Sequence, residues 1–503
     1  MLHPRAILPV AGARNRTAAR LLPLATLLVL TCFLAGTSAD ADLWGHLTFG
    51  RDIVRVHAVH ASDPYSFTSD RPWVNHEWLA EVIMWISYAT GGGVGLIILK
   101  LSLAWAAGAL LLDAWRRYQL TPIQRDLLLF ATALAAWPSL VTARPQMFSL
   151  FLLAALLNVL GRFRDGQIRV LLWLPMIFAV WVNIHGGWLV GAGVLALFTA
   201  CSLFDSTYVP SHRRLLIAAS LAAGLATLCN PYGPRMLTFL FETVRPDRAD
   251  IVEWQPVTKL PAIALVLWLV PTTVALTAVW RRRGVLPVSS IAIVVMLGIA
   301  SFRVARVVSF YAVAVGFLLA PYARSNAIVL MQPLRRTVRE WRAAAIVYLS
   351  IVGLSVTLLG RRVTMDGSWL PEPEAAAYVS THHLHGNMFT WFNYGEYAIW
   401  HFWPAIRVSI DGRRETVFSE ELRAAHRRIY DNAPEAVDEL RRLNPDYVWL
   451  PVDLAVIQRL EAAGWLPLFR GPRSTILGHA GATTTAAAAA PIPNPQPRAF
   501  PGP

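Results

Sequence analysis

Apolar blocks of about fifteen to twenty residues recur along this chain to about residue 360, joined by short connectors rich in arginine. That pattern constrains the fold more than any motif, because a bilayer's ~30 Å hydrocarbon layer takes ~20 apolar residues per helical crossing, while a water-facing surface must be polar. The blocks lie at about 21–37, 94–113, 124–138, 146–160, 170–184, 187–204, 214–230, 260–280, 285–300, 305–322 and 342–360. They read as roughly eleven spans, several of them short. With 55% hydrophobic and 15% charged residues, the expected fold class is a polytopic α-helical membrane protein.

The net charge of +14 calls for no nucleic acid. If the basic N-terminus (1–20) is inside, Arg116 and Arg117, then Arg162, Arg164 and Arg169, then Arg213 and Arg214, then Arg281–Arg283, then Arg335, Arg336 and Arg339 all fall on the inner side, as the bias of cytoplasmic loops toward basic residues requires. The block at 21–37 ends in Thr37-Ser38-Ala39 and reads either as a cleaved signal peptide or as the first span. Both place Asp40 outside. Glu77–Thr90 is too short to cross and would break the parity, so it is expected as a helix in the outer interface. Cys32, Cys201 and Cys229 all sit in apolar blocks and offer no disulfide framework.

An odd number of spans puts the remainder of the chain outside. Within 21–362, taken as the membrane module, the first outer loop covers 38–93. Residues 363–480 alternate helix (PEPEAAAYVSTHH), strand (NMFTW), helix (GEYAIWHF) and strand (IRVSI). Helices near 418–430, 434–442 and 453–463, the strand YVWLP and short strands near 465–478 complete the segment. Such alternation points to a small extracytoplasmic α/β domain with a largely parallel sheet. The Ala/Thr/Pro-rich tail 481–503 is expected to be disordered.

With the topology set by arginines alone, the remaining polar motifs gather outside, where ionisable groups near membrane depth mark a site. Asp42 opens the amphipathic stretch DLWGHLTFGRDIV; it is either a helix cap or a general base, with His46 one turn on. Asp40 reads mainly as a cap. Arg303 and Arg306 in SFRVAR would share one side if helical and suit a lipid phosphate, with Arg144 and Arg235 as further members. His76, Glu77, His185 and Tyr232 complete the candidate substrate contacts. No HExxH or Cys–His spacing, GxGxxG, Walker A or GxSxG motif occurs. No cofactor is called for, although His46, His76 and Glu77 leave a divalent metal open. Asp411-Gly412-Arg413-Arg414 and Asn393-Tyr394-Gly395 come directly after strands, and read either as ligand-edge motifs or as turns.

DADLWGHLTFGRDIV and, beyond it, RPWVNHEWLAEVIMWISYATGG resemble the GT-C superfamily of membrane glycosyltransferases, the group containing protein mannosyltransferases and aminoarabinose transferases. The resemblance covers about fifty residues in detail and only the layout elsewhere. It implies that Asp42, with Arg51 beyond it, matches the catalytic acid at the start of an amphipathic helix, and that Arg71-Pro72 matches the family's turn. Leu43 stands where many relatives have a second acid. The NPYG, EWQP and DGR segments are similar to those of bacterial membrane proteins described as glycosyltransferases only by inference. The function implied is transfer of a sugar from a polyprenyl-phosphate donor to a lipid, glycan or protein acceptor at the outer face of the cytoplasmic membrane. The alternatives are a non-enzymatic lipid or polysaccharide transporter, or an assembly protein.

Overall fold

The computed structural model describes residues 25–118, 120–244, 251–282, 284–324, 346, 349–355, 357, 362–365, 369–479 and 498–502. The basic N-terminus, Arg283, Arg335, Arg336, Arg339 and most of the 342–360 block lie outside the described residues.

Nearly every apolar block forms a helix. The sequence runs α1 (Ala25–Ala35), α2 (Leu43–Val56), α3 (Trp78–Trp115), α4 (Pro122–Ala136), α5 (Gln146–Arg164), α6 (Trp173–Trp181), α7 (Trp188–Phe204), α8 (Pro210–Ala226), α9 (Arg235–Val244), α10 (Ala262–Arg282), α11 (Val288–Arg303) and α12 (Val308–Leu318). Of these, α3, α5 and α10 are long and apolar enough to cross a bilayer. Helices of 16 or 17 residues such as α11 and α7 rise only about 25 Å, short of a full crossing, so the expected eleven spans stay an expectation. Every residue of α12 is buried, as a helix apolar on all sides requires, and with α5 it forms the bundle's centre. Since α5 rises about 28 Å, it separates two polar ends. Arg144 precedes its first turn, while Arg162 and Arg164 in its last turn bond Asp113 and Ser290.

The interfacial helix expected at 77–90 and the span at 94–113 are two arms of the single element α3, hinged at Gly92 with φ 56° and ψ −145°. Only glycine adopts that backbone without strain. The reversal is sharp: a Cβ on Gly95 would collide with the Ser87 carbonyl oxygen, two helical turns away in a straight helix. The first arm packs along α2, where Gly50 lets the Glu81 carbonyl occupy the space a Cβ would take.

The strands are β1 (Ser38–Ala39), β2 (Thr364–Met365), β3 (Gly386–Thr390), β4 (Ile406–Val408), β5 (Tyr447–Pro451), β6 (Leu466–Arg470), β7 (Ser474–Gly478) and β8 (Arg498–Ala499). The C-terminal segment forms a five-stranded sheet in the order β4-β3-β5-β7-β6. Pairs β3–β4 and β3–β5 are parallel; β5–β7 and β6–β7 are antiparallel. The sheet is therefore mixed rather than largely parallel, because Gly471–Arg473 is too short a link for anything but a hairpin. A second, small sheet joins β1, β2 and β8. The tail expected to be disordered is thus ordered over Arg498–Gly502: Phe500 is buried against Trp44, whose indole N–H donates to the Pro501 carbonyl at 2.9 Å. The apolar Phe500 outweighs the low-complexity stretch before it. The rest of the tail lies outside the described residues.

Candidate active site

Helix α2 lies between the first arm of α3 and the helix Gly395–Phe402, with Trp44 meeting Tyr397 edge-on. That clamp fixes its N-terminus, where Asp42 sits. Asp42 occupies the N-cap position, yet its side chain makes no capping hydrogen bond. It turns instead to Arg144, 3.2 Å away. Asp40 is no cap either: its carboxylate pairs with the Arg144 Nε. Arg144 also reaches Glu253 at 3.2 Å, and Glu253 pairs with Arg306. One acid–guanidinium chain thus runs from Asp42 to Arg306 across four segments.

Arg303 and Arg306 do not form the expected pair. The helix breaks at Val304, with φ −135° and ψ 102°, which leaves Arg303 exposed at the end of α11 while Arg306 enters the cluster. Arg235, at the start of α9, is also exposed. The substrate-contact candidates do converge. Glu77 lies 3.6 Å from His76 and 3.7 Å from His185. His46 lies 3.3 Å from Glu81, which accepts from Asn75 at 2.6 Å. The Tyr232 hydroxyl accepts from the Asn75 amide at 2.8 Å. In His185, Nδ1 accepts from the Gly187 N–H at 2.9 Å, so the neutral ring carries its proton on Nε2, toward Glu77.

Electrostatics sort these groups. Burial pushes the Asp42 carboxyl up to about 6, with Glu253 and Glu77 adding to the effect and His46 and Arg306 opposing it. Burial likewise holds the His185 ring neutral, down to about 3, against the pull of Glu77. Burial opposes the charge on Glu77, but His76, His185, His46 and Arg306 outweigh it and lower its pKa. For Glu253 the same contest is won by Arg306 and Arg144. His46 is held above its usual range: burial works against its charge, and Glu81, Glu77 and Asp42 overcome it.

Sequence reasoning missed Glu396. This residue of the C-terminal segment is 4% exposed, and its Oε2 accepts from the Gly45 amide at 3.0 Å. Burial, and after it Asp42 and Asp411, push its pKa well above the usual carboxylate range. The signal available was one acid within the otherwise apolar and aromatic GEYAIWHF. The DGR motif after β4 ties the two halves together. Buried Arg413 donates to Asp63 at 2.6 and 3.0 Å and to Asp411 at 2.6 and 2.9 Å, with its guanidinium over the rings of Phe49, Tyr65 and Trp73. Glu396 and Asp411 lie just past the carboxyl ends of β3 and β4, the edge where open α/β sheets place ligands.

An apolar cleft opens between α1, α3, α4, α5 and α12, lined by Leu34, Trp105, Leu129, Met147, Phe151 and Phe317 among others. It reaches Met147, whose amide donates to the Arg144 carbonyl at 3.0 Å. Among the described residues, no group of three or more His, Cys, Asp or Glu side chains is arranged to hold a metal ion.

No family model and no curated protein matches the sequence. Solved structures share its fold. An oligosaccharyltransferase from Archaeoglobus fulgidus, tethered to an acceptor peptide, aligns with TM-score 0.52 and 11% identity over 87% of this chain and 70% of that one. The mycobacterial arabinofuranosyltransferase AftD aligns with TM-score 0.52 and 15% identity over 94% of this chain, which spans only 40% of AftD. ArnT from Cupriavidus metallidurans aligns with TM-score 0.50 and 10% identity over 93% of this chain and 99% of that one. The chain therefore has the fold of GT-C membrane glycosyltransferases.

Proposed function

We propose, from that shared fold, that this chain is a glycosyltransferase that moves a sugar from a polyprenyl-phosphate donor to a lipid, glycan or protein acceptor at the outer face of the cytoplasmic membrane. The observation that carries the reading is the contact of Asp42 with Arg144, whose carbonyl is bonded by Met147 in the lining of an apolar cleft. A prenyl chain suits such a cleft, since burying it removes apolar surface from water. Asp42 keeps 31% of its side-chain surface open and, ionised above about pH 6, accepts the proton of an acceptor hydroxyl or amine. The freed acceptor atom bonds to the anomeric carbon from the face opposite the phosphate. The bond from that carbon to the phosphate oxygen breaks, and prenyl phosphate leaves with the electron pair.

The departing charge needs cations with donors to spare. Arg144 commits all three of its nitrogens to Asp40, Asp42 and Glu253. Arg306 commits one nitrogen to Glu253 and, among the described residues, keeps most of its five N–H donors free. This assigns phosphate gripping to Arg306 and orientation of the base to Arg144, while His46, His76, Glu77, His185 and Tyr232 form the wall on which the sugar or acceptor rests. The reading uses no cofactor. A transport path would need polar groups along its length, whereas among the lining of the cleft only Thr132 carries a polar side-chain group besides the Trp105 indole.

The test is turnover of a synthetic prenyl-phosphate sugar by the purified chain. Arg306→Ala is expected to slow it by about 10²–10³, the loss typical of a removed charge-stabilising donor, and Arg303→Ala to stay near native. An unchanged rate in Arg306→Ala overturns the assignment.

A further inference from the structure

We infer that Glu396 and Asp42 form an acid–carboxylate pair in which Glu396 holds the proton, so that the C-terminal segment supplies a positioning residue for the base. The inference rests on the reading of Asp42 as base, and its geometry is independent of the donor.

Two glycines bring the carboxyl groups together. A Cβ on Gly45 would overlap the Glu396 Oε2, and a Cβ on Gly412 would lie 2.6 Å from its Oε1 and would overlap the Asp42 Oδ1. Only at glycine can both carboxyl groups come this close to the backbone, and they crowd one point from two sides. A backbone amide can only donate, so the Gly45 N–H, 3.0 Å from Oε2, fixes that oxygen as an acceptor and leaves Oε1, the oxygen beside Asp42, to carry a proton. On the Glu396 side water is shut out, because Glu396 is 4% exposed. Two ionised carboxylates in such a place repel strongly, and sharing one proton removes the repulsion.

The surroundings decide which carboxyl is neutral. Around Asp42 stand His46 on α2, Arg144 before α5, Glu253, Arg306 and, at the start of α3, Glu77. Around Glu396 stand Asp42, Asp411, Arg413 and, before α5, Arg144. Two cations and an imidazole face Asp42. Among the described residues, the two cations facing Glu396 are committed to other acids, Arg413 to Asp63 and Asp411 and Arg144 to Asp40, Asp42 and Glu253. The proton therefore resides on Glu396. Donating from Oε1 to the Asp42 Oδ1, while Arg144 holds Oδ2 at 3.2 Å, it fixes the carboxylate on both sides and leaves its remaining lone pairs for the acceptor proton.

The test compares the full-length chain with Glu396→Gln and Glu396→Ala, each checked for native elution and melting. Gln presents a neutral donor of the same shape. With a prenyl-phosphate sugar, kcat/KM of the native chain is expected to rise through about pH 6 as Asp42 ionises and to fall at high pH as Glu396 ionises. Glu396→Gln is expected to keep the acid limb and lose the alkaline one, whereas Glu396→Ala is expected to drop about tenfold or more, the scale of a lost charge-assisted hydrogen bond. In parallel, infrared spectra at neutral pH are expected to show a protonated-carboxyl band in the native chain that is absent from Glu396→Gln. That readout needs no turnover. A native chain that transfers nothing but shows the band refutes the sugar-transfer reading and leaves the pair standing. An unaltered band or an unaltered alkaline limb in Glu396→Gln overturns the pair.

Discussion

Arg144 shows why a guanidinium, and not merely a positive charge, stands at this point. Its Nε faces Asp40, one terminal nitrogen faces Asp42 and the other Glu253; a planar fork spans three carboxylates where an ammonium has one centre. A positive partner favours the ionised form of a carboxyl group. In Arg144→Gln the Asp42 carboxyl is therefore expected to hold its proton to higher pH, moving the acid limb of the rate profile above its native position near 6 and lowering kcat/KM by about 10². A pH series on the two proteins checks both. At this scale much was legible in the sequence. Asp42, Arg144, Arg306, Glu77, His46 and His185 are ionisable groups bordering apolar blocks, where burial is costly enough to demand a reason. Glu396 was not legible, because its partners, Gly45 and Gly412, lie 351 and 16 positions away in a chain whose pairing depends on how the C-terminal segment docks.

At the scale of elements, hydrophobic periodicity located helices well and junctions poorly. The helix GEYAIWHF and the strand YVWLP fall on the expected residues. The errors are at breaks. Val304 ends α11 and separates two arginines that a continuous helix would align, and Gly92 joins two helices that their spacing keeps apart. Neither break is a property of hydropathy; the first is an extended backbone at Val304 and the second a backbone that only glycine adopts without strain. The α3 hinge offers a direct check. Gly95→Ala drives a methyl group into the Ser87 carbonyl, which is expected to cost about 1–3 kcal/mol, the usual scale of overpacking. Gly91→Ala, with no described atom within 4 Å, is expected to leave the melting temperature in detergent close to native.

At the scale of the whole molecule, the site belongs to neither half alone. The bundle contributes Arg144, Glu253 and Arg306, α2 contributes Asp42, and the C-terminal segment contributes Glu396 and the Arg413 latch to Asp63. Apolar blocks and arginine placement were enough to forecast a helical membrane module with an α/β segment behind it. Docking of one on the other was beyond reach, since it rests on contacts such as Trp44 with Phe500 between residues 456 positions apart. Sugar transfer by this joint site, with Asp42 as base, is tested most directly by reconstituting the whole chain in lipid vesicles with a synthetic prenyl-phosphate sugar and an acceptor, native against Asp42→Asn, with donor binding measured alongside. The expected result is product from the native chain, a loss of about 10²–10⁴ in turnover for Asp42→Asn and donor binding retained in both; equal turnover in the two proteins would contradict it.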